Sequence, residues 1–286
     1  MSGFVWFKNN NTFNEYCARL IERQKISEEF IEMQEYFTGY CNFCAAIRKF
    51  KLSGGSMLGA RIHLREGMIC EKCGSSNRHR LLFSAFLEEY GPIIDTSKNY
   101  FILEGITNLF NNLKEKIPGL EGSEYFGGNY MPGQMVECGG KLVRNEDFMS
   151  LSLKDNSVDC LLHTDVLEHV PDCDKAISEA FRVLGPRGVM IFTTPFFNTL
   201  NKSLVRAFVN SKNDIVHLEN PAFHGNPLSK DGSLVFYHFG WDLIDKLRKA
   251  GFSSVMLGMN FDPFQGLLST GEGEHYLQPV LFRCQK

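Results

Sequence analysis

From Leu81 onward, short apolar runs alternate with segments whose apolar residues recur every three or four positions. That alternation predicts an α/β domain. Candidate strands are Tyr100–Glu104, Gly122–Phe126, Lys141–Arg144, Val158–His163, Val189–Thr194, Val255–Met259 and Tyr276–Phe282. A helix through Leu109, Phe110 and Leu113 follows the first strand. A second places Ala176, Ile177, Ala180, Phe181 and Leu184 on one face, with Gly185-Pro186 as its stop. A third covers 240–252, with Leu243, Leu247 and Ala250 inward and Gly251 at its end. Apolar run, helix and apolar run over 157–195 read as a right-handed parallel crossover, whose functional loops belong at the carboxyl ends of the strands.

Upstream the pattern changes. Residues 12–37 read as helical, with Tyr16, Leu20, Ile21, Phe30, Ile31 and Met33 among many charges and Ser27 as a helix start inside the stretch. Residues 38–80 hold two CxxC pairs around the Gly-rich, basic segment KLSGGSMLGARIHLREG. The expected organisation is an N-terminal helical and zinc-binding module over 1–80 and an α/β domain over 81–286, with an insertion at 195–239.

The chain has 286 residues, enough for one large domain or a domain plus a small module. Its composition, 43% hydrophobic and 22% charged, is that of a globular protein. A formal charge of −3 argues against an extended nucleic-acid footprint. No apolar run approaches membrane-spanning length, and the first residues lack the order of a signal peptide, so a cytoplasmic protein is expected. Nine cysteines fit a reducing compartment.

Four of those cysteines, Cys41, Cys44, Cys70 and Cys73, form a CxxC-x25-CxxC pattern. Two thiolates three residues apart chelate one ion from a tight knuckle, and two knuckles complete a tetrahedral S4 site. The expectation is a structural zinc with no open position for catalysis.

A nucleotide-type pocket needs backbone close to the ligand after the first strand and an acid about twenty residues later for the ribose. Glu104-Gly105 and Thr107 stand at the first position, and Glu124, beside Tyr125, stands twenty residues past Glu104. The third strand leads to Asp147-Phe148, and the fourth ends at Thr164-Asp165.

DVLEHVPD at 165–172, Ala176, Glu179 and RVLGPRG at 182–188 resemble the fourth-to-fifth-strand segment of class I S-adenosylmethionine (SAM) methyltransferases. The resemblance implies a Rossmann-like seven-stranded sheet, its last strand antiparallel, and SAM as cofactor. It implies Glu124 on the ribose, Asp147 on the adenine amine, Phe148 beside the ring, and Thr164 and Asp165 near the methionine end and the transferred methyl. The family usually shows three alternating glycines after the first strand, and this chain keeps only Gly105. CEKCGSSNRHR at 70–80 resembles the cysteine-knuckle run of some bacterial sugar and secondary-metabolite methyltransferases. There Arg78, His79 and Arg80 read either as contacts to an anionic substrate or another domain, or as a solvated basic turn.

The insertion carries His217, His224, His238 and many aromatics, a composition suited to an acceptor pocket. Methyl transfer to oxygen requires positioning and removal of one proton, and a histidine suits the latter. His224, in the Gly/Pro-bounded FHGNP, is the first candidate base and His238 the second; His169 reads as a loop or cap residue. The leading reading is methyl transfer to a small polar acceptor, most simply a hydroxyl of a sugar or glycan intermediate, with a homodimer left open. An RNA methyltransferase of the zinc-finger, ribosomal type is an alternative, although 194–197 reads Thr-Pro-Phe-Phe in place of an Asn-Pro-Pro-Tyr type motif. A non-catalytic methyltransferase-like binding or scaffold protein is a further alternative.

Overall fold

A computed structural model describes residues 3–52, 57–58, 61–270 and 277–286. Parts of the Gly-rich segment between the cysteine pairs, and Tyr276, lie outside them. The chain divides into two compact units: residues 1–94, 196–199 and 256–282 form the first, and 95–195, 200–255 and 283–286 the second.

The second unit holds β1 (Tyr100–Ile102), β2 (Glu121–Glu124), β3 (Met135–Cys138), β4 (Lys141–Asn145), β5 (Val158–Thr164) and β6 (Leu184–Thr193), in the order β6-β5-β1-β2-β4-β3. All neighbouring pairs are parallel except β3 with β4. Gly139 and Gly140 join that hairpin at φ of +59° and +77°, the two left-handed positions a tight two-residue turn requires. Leaving out the hairpin arm β3, the order reverses between β1 and β5. Open parallel sheets bind ligands outside the carboxyl ends of the strands at such a switch point.

β5 is buried along nearly its whole length, as expected of a central parallel strand covered on both faces. Its Cys160–Leu162 register against Tyr100–Ile102 on one side and Val189–Ile191 on the other. Helices α1 (Asn108–Lys116), α2 (Cys173–Val183) and α3 (Asp242–Lys249) complete the unit. α2 is capped by Asp172, whose side chain accepts from the Lys175 amide at 3.0 Å, and it buries Cys173, Ala176, Ile177, Ala180 and Val183. Arg182 donates to Glu179, Asp155 and the carbonyls of Leu151 and Leu153, tying α2 to the loop before β5.

Gly185-Pro186 does not separate helix from strand as expected. The strand begins at Leu184, opposite Val158, and the register then shifts so that Val189 faces Cys160. Gly185–Gly188 therefore forms an irregularity within β6, where a Cβ on Gly188 would lie 2.9 Å from the Gly185 carbonyl oxygen. The insertion folds into three small antiparallel pairings: Leu204–Val205 with Tyr237–His238, Ala207–Val209 with Ile215–His217, and Phe223–Asn226 with Ser229–Leu234.

In the first unit the expected helix starts earlier and ends sooner, at Asn10–Glu32, with Asn9 accepting from the Thr12 amide at 3.1 Å. Ser27 starts nothing; its hydroxyl bonds back to the Arg23 carbonyl at 2.8 Å inside the continuous helix. Phe30 and Met33 are 60% and 81% exposed, and the buried stripe is instead Phe13, Cys17, Gln24, Glu28 and Ile31. Gln24 is satisfied by Gln278, whose Oε1 lies 2.7 Å from its amide nitrogen. A three-stranded antiparallel sheet of Tyr36–Cys41, Ala46–Lys51 and Ile69–Cys70 leads into the helix Asn77–Tyr90. Val5–Phe7 pairs antiparallel with Leu257–Met259, and the strand order there runs Val5–Phe7, Ser254–Met259, Val280–Gln285. The last strand lies later than the expected Tyr276–Phe282. All seven expected strands exist, and β3 and Val5–Phe7 are additional. No helix among the described residues is long and apolar enough to cross a membrane.

Candidate active site and metal centre

The ends of β1, β2, β4 and β5 bring the predicted pocket residues to one edge of the second unit. Glu104, just past β1, is buried and accepts from the Thr164 amide at 2.9 Å and from its hydroxyl at 2.5 Å. This joins the two strands that flank the switch point. Gly105 follows with its amide 3.3 Å from Glu124 Oε2. A Cβ there would sit 2.9 Å from Val143 Cγ1 and 3.1 Å from the Ser123 carbonyl carbon, so close approach to β2 explains why this one glycine is present.

Burial, with the Glu104 charge beside it, pushes the Glu124 carboxyl up to about 7, against the lowering effect of the Gly105, Tyr125 and Ile106 amides. A half-buried carboxyl with several donors in reach is suited to accept from a ligand diol. Tyr125, half-exposed, stands next to it, with its phenol raised chiefly by burial. Thr107 is placed as a helix cap, its hydroxyl oxygen accepting from the Phe110 amide at 3.2 Å.

At the end of β4, Asn145 organises the turn: its Oδ1 accepts from the Phe126 amide, and its Nδ2 donates to the carbonyls of Tyr130 and Met131. Asp147 accepts from the Met149 amide at 2.8 Å and keeps its side chain partly open. Phe148 is buried edge-on against His163, with ring centroids 5.2 Å apart. His163 is stacked on its other side with Phe192 at 4.6 Å, and neither of its ring nitrogens has a hydrogen-bond partner. Burial pulls its imidazole down to about 3, so it is a neutral aromatic slab inside the sheet.

Asp165 closes β5 at φ +51°, left-handed for a residue with a side chain. Two bonds hold it there: its amide donates to the Thr193 carbonyl at 2.9 Å and its Oδ1 accepts from the Thr193 hydroxyl at 2.9 Å. A strained carboxylate held at a strand tip is a common mark of a binding edge.

Beyond Asp165, the single turn Leu167–His169 carries Glu168, which is fully buried. One of its oxygens accepts from the Thr194 hydroxyl at 3.0 Å. The other lies 3.7 Å from His169 Nε2 and 3.6 Å from His224 Nδ1. His224 thus joins the strand-end region through the hairpin Phe223–Asn226, whereas His238, on the strand facing Leu204, is outside that trio. Glu168 was not singled out from the sequence. Its signal was the LEHVP corner, where the central acid looks like one more loop carboxylate.

In the first unit, Cys41, Cys44, Cys70 and Cys73 converge so that every sulfur lies within 4.8 Å of the others. Cys41–Cys73 and Cys44–Cys70 separations are 3.6 Å and 3.9 Å. A tetrahedral zinc with bonds of about 2.3 Å has ligand–ligand edges of roughly 3.8 Å, so the donor set fits that ion. The Cys44 amide points at the Cys41 sulfur, and the Cys73 and Lys72 amides at the Cys70 sulfur, as two knuckles require. Hydrogen bonds from Cys70 and Cys73 draw the Cys41 thiol below the ordinary range.

Arg80 is neither a solvated turn residue nor a substrate contact. It is fully buried, donating to the carbonyls of Ser75 at 2.7 Å, Gln265 at 2.8 Å and Gly266 at 3.4 Å, with its guanidinium 4.2 Å over the Phe50 ring. Burial lowers it to about 10, opposed by the four cysteine sulfurs, so it stays a cation at neutral pH. Arg78 pairs with Glu66 at 2.8 Å, and His79 Nδ1 accepts from the Ser76 amide at 3.3 Å.

Residues 120–192, which span β2 to β6, match the family described as a methyltransferase domain. The strand order and the switch-point edge around that match are those of a Rossmann-like, open parallel α/β sheet. Over 53 residues the chain is 42% identical to a protein of Mycolicibacterium smegmatis described as "Probable S-adenosylmethionine-dependent methyltransferase". That match covers 18% of this chain and 21% of the relative, so the chain spans about a fifth of that protein's length. Among solved structures, a SAM-dependent methyltransferase from Mesorhizobium loti aligns at 14% identity over 73% of this chain and 98% of that one, with a TM-score of 0.43. One from Methanosarcina mazei aligns at 18% identity over 70% and 96%, with a TM-score of 0.39.

Proposed function

We propose that the protein is an enzyme that transfers a methyl group from SAM to a small polar acceptor, a hydroxyl of a sugar or glycan intermediate. The observation that supports this reading is the row of carboxyl groups at consecutive strand ends around the switch point: Glu104, Glu124, Asp147 and Asp165. In this reading Glu124 accepts from the ribose hydroxyls and Asp147 from the adenine amine. Gly105 lets the backbone approach the cofactor, and Thr164 and Asp165 line its methionine end. Bound SAM supplies a sulfonium-activated methyl group. The residues of this chain do the rest: they orient the acceptor in line with the methyl, exclude water and receive the acceptor's proton on the side of the insertion, where His224 stands. The four cysteines hold a structural zinc that fixes the first unit, with Arg80 offsetting the negative charge of a fully thiolate site.

Calorimetry with S-adenosylhomocysteine tests the cofactor reading. Binding is expected with the native chain and should weaken on the order of tenfold or more in Asp147→Ala, a loss of about 1.4 kcal/mol or more. Absence of binding to zinc-replete protein sinks it.

A further inference from the structure

Glu168 Oε1 is buried and has no hydrogen-bond partner. A buried carboxylate oxygen without a donor calls for an explanation. Two imidazole nitrogens face it, His169 Nε2 at 3.7 Å and His224 Nδ1 at 3.6 Å, and the two rings stand edge to face with centroids 4.9 Å apart. His169 Nδ1 lies 2.8 Å from the Leu234 carbonyl, to which it must donate. In the neutral ring that bond fixes the tautomer and leaves the Nε2 lone pair facing the cluster. The second Glu168 oxygen is held by the Thr194 hydroxyl. Each of these two inner ligands is therefore oriented from behind by a second group, as metal ligands usually are.

We infer that Glu168, His169 and His224 form a binding site for a divalent transition-metal ion, separate from the cysteine site, which takes the methyl acceptor through a hydroxyl or vicinal diol. The three donor atoms lie within 4.8 Å of one another. Bonds of about 2.1 Å to nitrogen and oxygen put donors roughly 3.4 Å apart, so a small inward movement of two side chains closes the site. Two imidazoles with one carboxylate favour zinc, iron, cobalt or manganese over magnesium or calcium. Three protein ligands leave positions open, and the His224 side chain, 39% exposed, gives the ion a route to solvent. An acceptor hydroxyl bound there would lose its proton more readily. The proton passes to solvent, the oxygen forms the new C–O bond, and the methyl–sulfur bond breaks with its electrons going to sulfur. His224 is then a ligand, and the ion does the work otherwise expected of a histidine base. The acceptor role rests on the methyl-transfer reading; the metal site does not.

The test is a titration with Co2+ of native protein carrying one zinc per chain, enough for the cysteine site alone, read by visible absorption and calorimetry. One Co2+ per chain with the weak bands of a nitrogen–oxygen site is expected, without the strong near-ultraviolet absorption of thiolate ligation. His224→Ala, in an exposed hairpin, and Glu168→Gln, which keeps the side chain's size, should each weaken binding about 100-fold or more. His217→Ala, on another strand of the insertion, should leave it unchanged. Absence of Co2+ binding, or equal binding by His224→Ala, overturns the site. S-adenosylhomocysteine binding by the same sample separates the two readings. Cofactor bound without Co2+ removes the metal site alone. Co2+ bound without cofactor supports the site and removes its role in methyl transfer.

Discussion

Replacing Arg80 by Met would remove a fully buried cation from the cysteine module while keeping most of its apolar stem. The guanidinium donates to three carbonyls, at 2.7, 2.8 and 3.4 Å, and covers the Phe50 ring. Hydrogen bonds to a charged group are worth about 1.5–3 kcal/mol each. Met can recover part of the ring contact but none of these bonds. Removing one partner of a buried charged network costs about 3–5 kcal/mol, because the acceptors left behind remain dehydrated. With a urea m-value of about 2–3 kcal/mol/M, the unfolding midpoint should fall by about 1–2.5 M at unchanged slope. Urea unfolding followed by intrinsic fluorescence measures this. Arg78→Met is the matched control; its pair with Glu66 is partly exposed and should matter by no more than about 1 kcal/mol. If Arg80→Met unfolds within about 0.3 M of the parent, the argument that this guanidinium organises the module fails.

Gly105→Ala should cost about 1–3 kcal/mol in thermal unfolding and reduce S-adenosylhomocysteine affinity, because its methyl meets Val143 and the Ser123 backbone; a neutral effect would mean the loop relaxes freely. The Glu124 carboxyl is raised from 4.5 to about 7, so its contribution to the stability of the free protein is present below pH 4.5 and fades as pH rises through 7. Cofactor affinity should run the other way, rising from pH 6 to 8 as the carboxylate forms and losing that slope in Glu124→Gln; a flat profile in the native chain counts against Glu124 as the ribose acceptor. Cys70→Ser should remove one zinc per chain by elemental analysis and lower the melting temperature, and an unchanged zinc content would refute the S4 assignment.

The features legible in the sequence were those set by local periodicity or fixed spacing. The buried run of β5, the amphipathic stripe of α2 and the two CxxC knuckles each occupy a few consecutive residues whose chemistry allows little else. The rest depended on partners distant along the chain. Gly185-Pro186 reads as a stop in isolation, yet Leu184 pairs with Val158 and starts the strand before the glycine. Arg80 looks like a surface cation in NRHR until Gln265 and Gly266 supply carbonyls far downstream. The short hairpins of the insertion carry mixed polar and apolar faces with no clean alternation. The residue type of His224 and its Gly/Pro-bounded FHGNP are therefore visible in the sequence, and its place beside Glu168 is not. The seven-strand expectation missed β3 and Val5–Phe7, since Met135–Cys138 is signalled mainly by its Gly-Gly turn and Val5–Phe7 is only three residues long.

His163, pressed between Phe148 and Phe192, sets an acid limit for the strand that ends at Thr164 and Asp165. An imidazole held at about 3 in the folded chain, against 6.5 when free, contributes stability that is complete above pH 6.5 and drains away as pH falls towards 3. The difference corresponds to about 5 kcal/mol, comparable to the whole stability of a small domain. Mild acid would therefore loosen the second unit from inside its sheet before most of its surface carboxylates are neutralised.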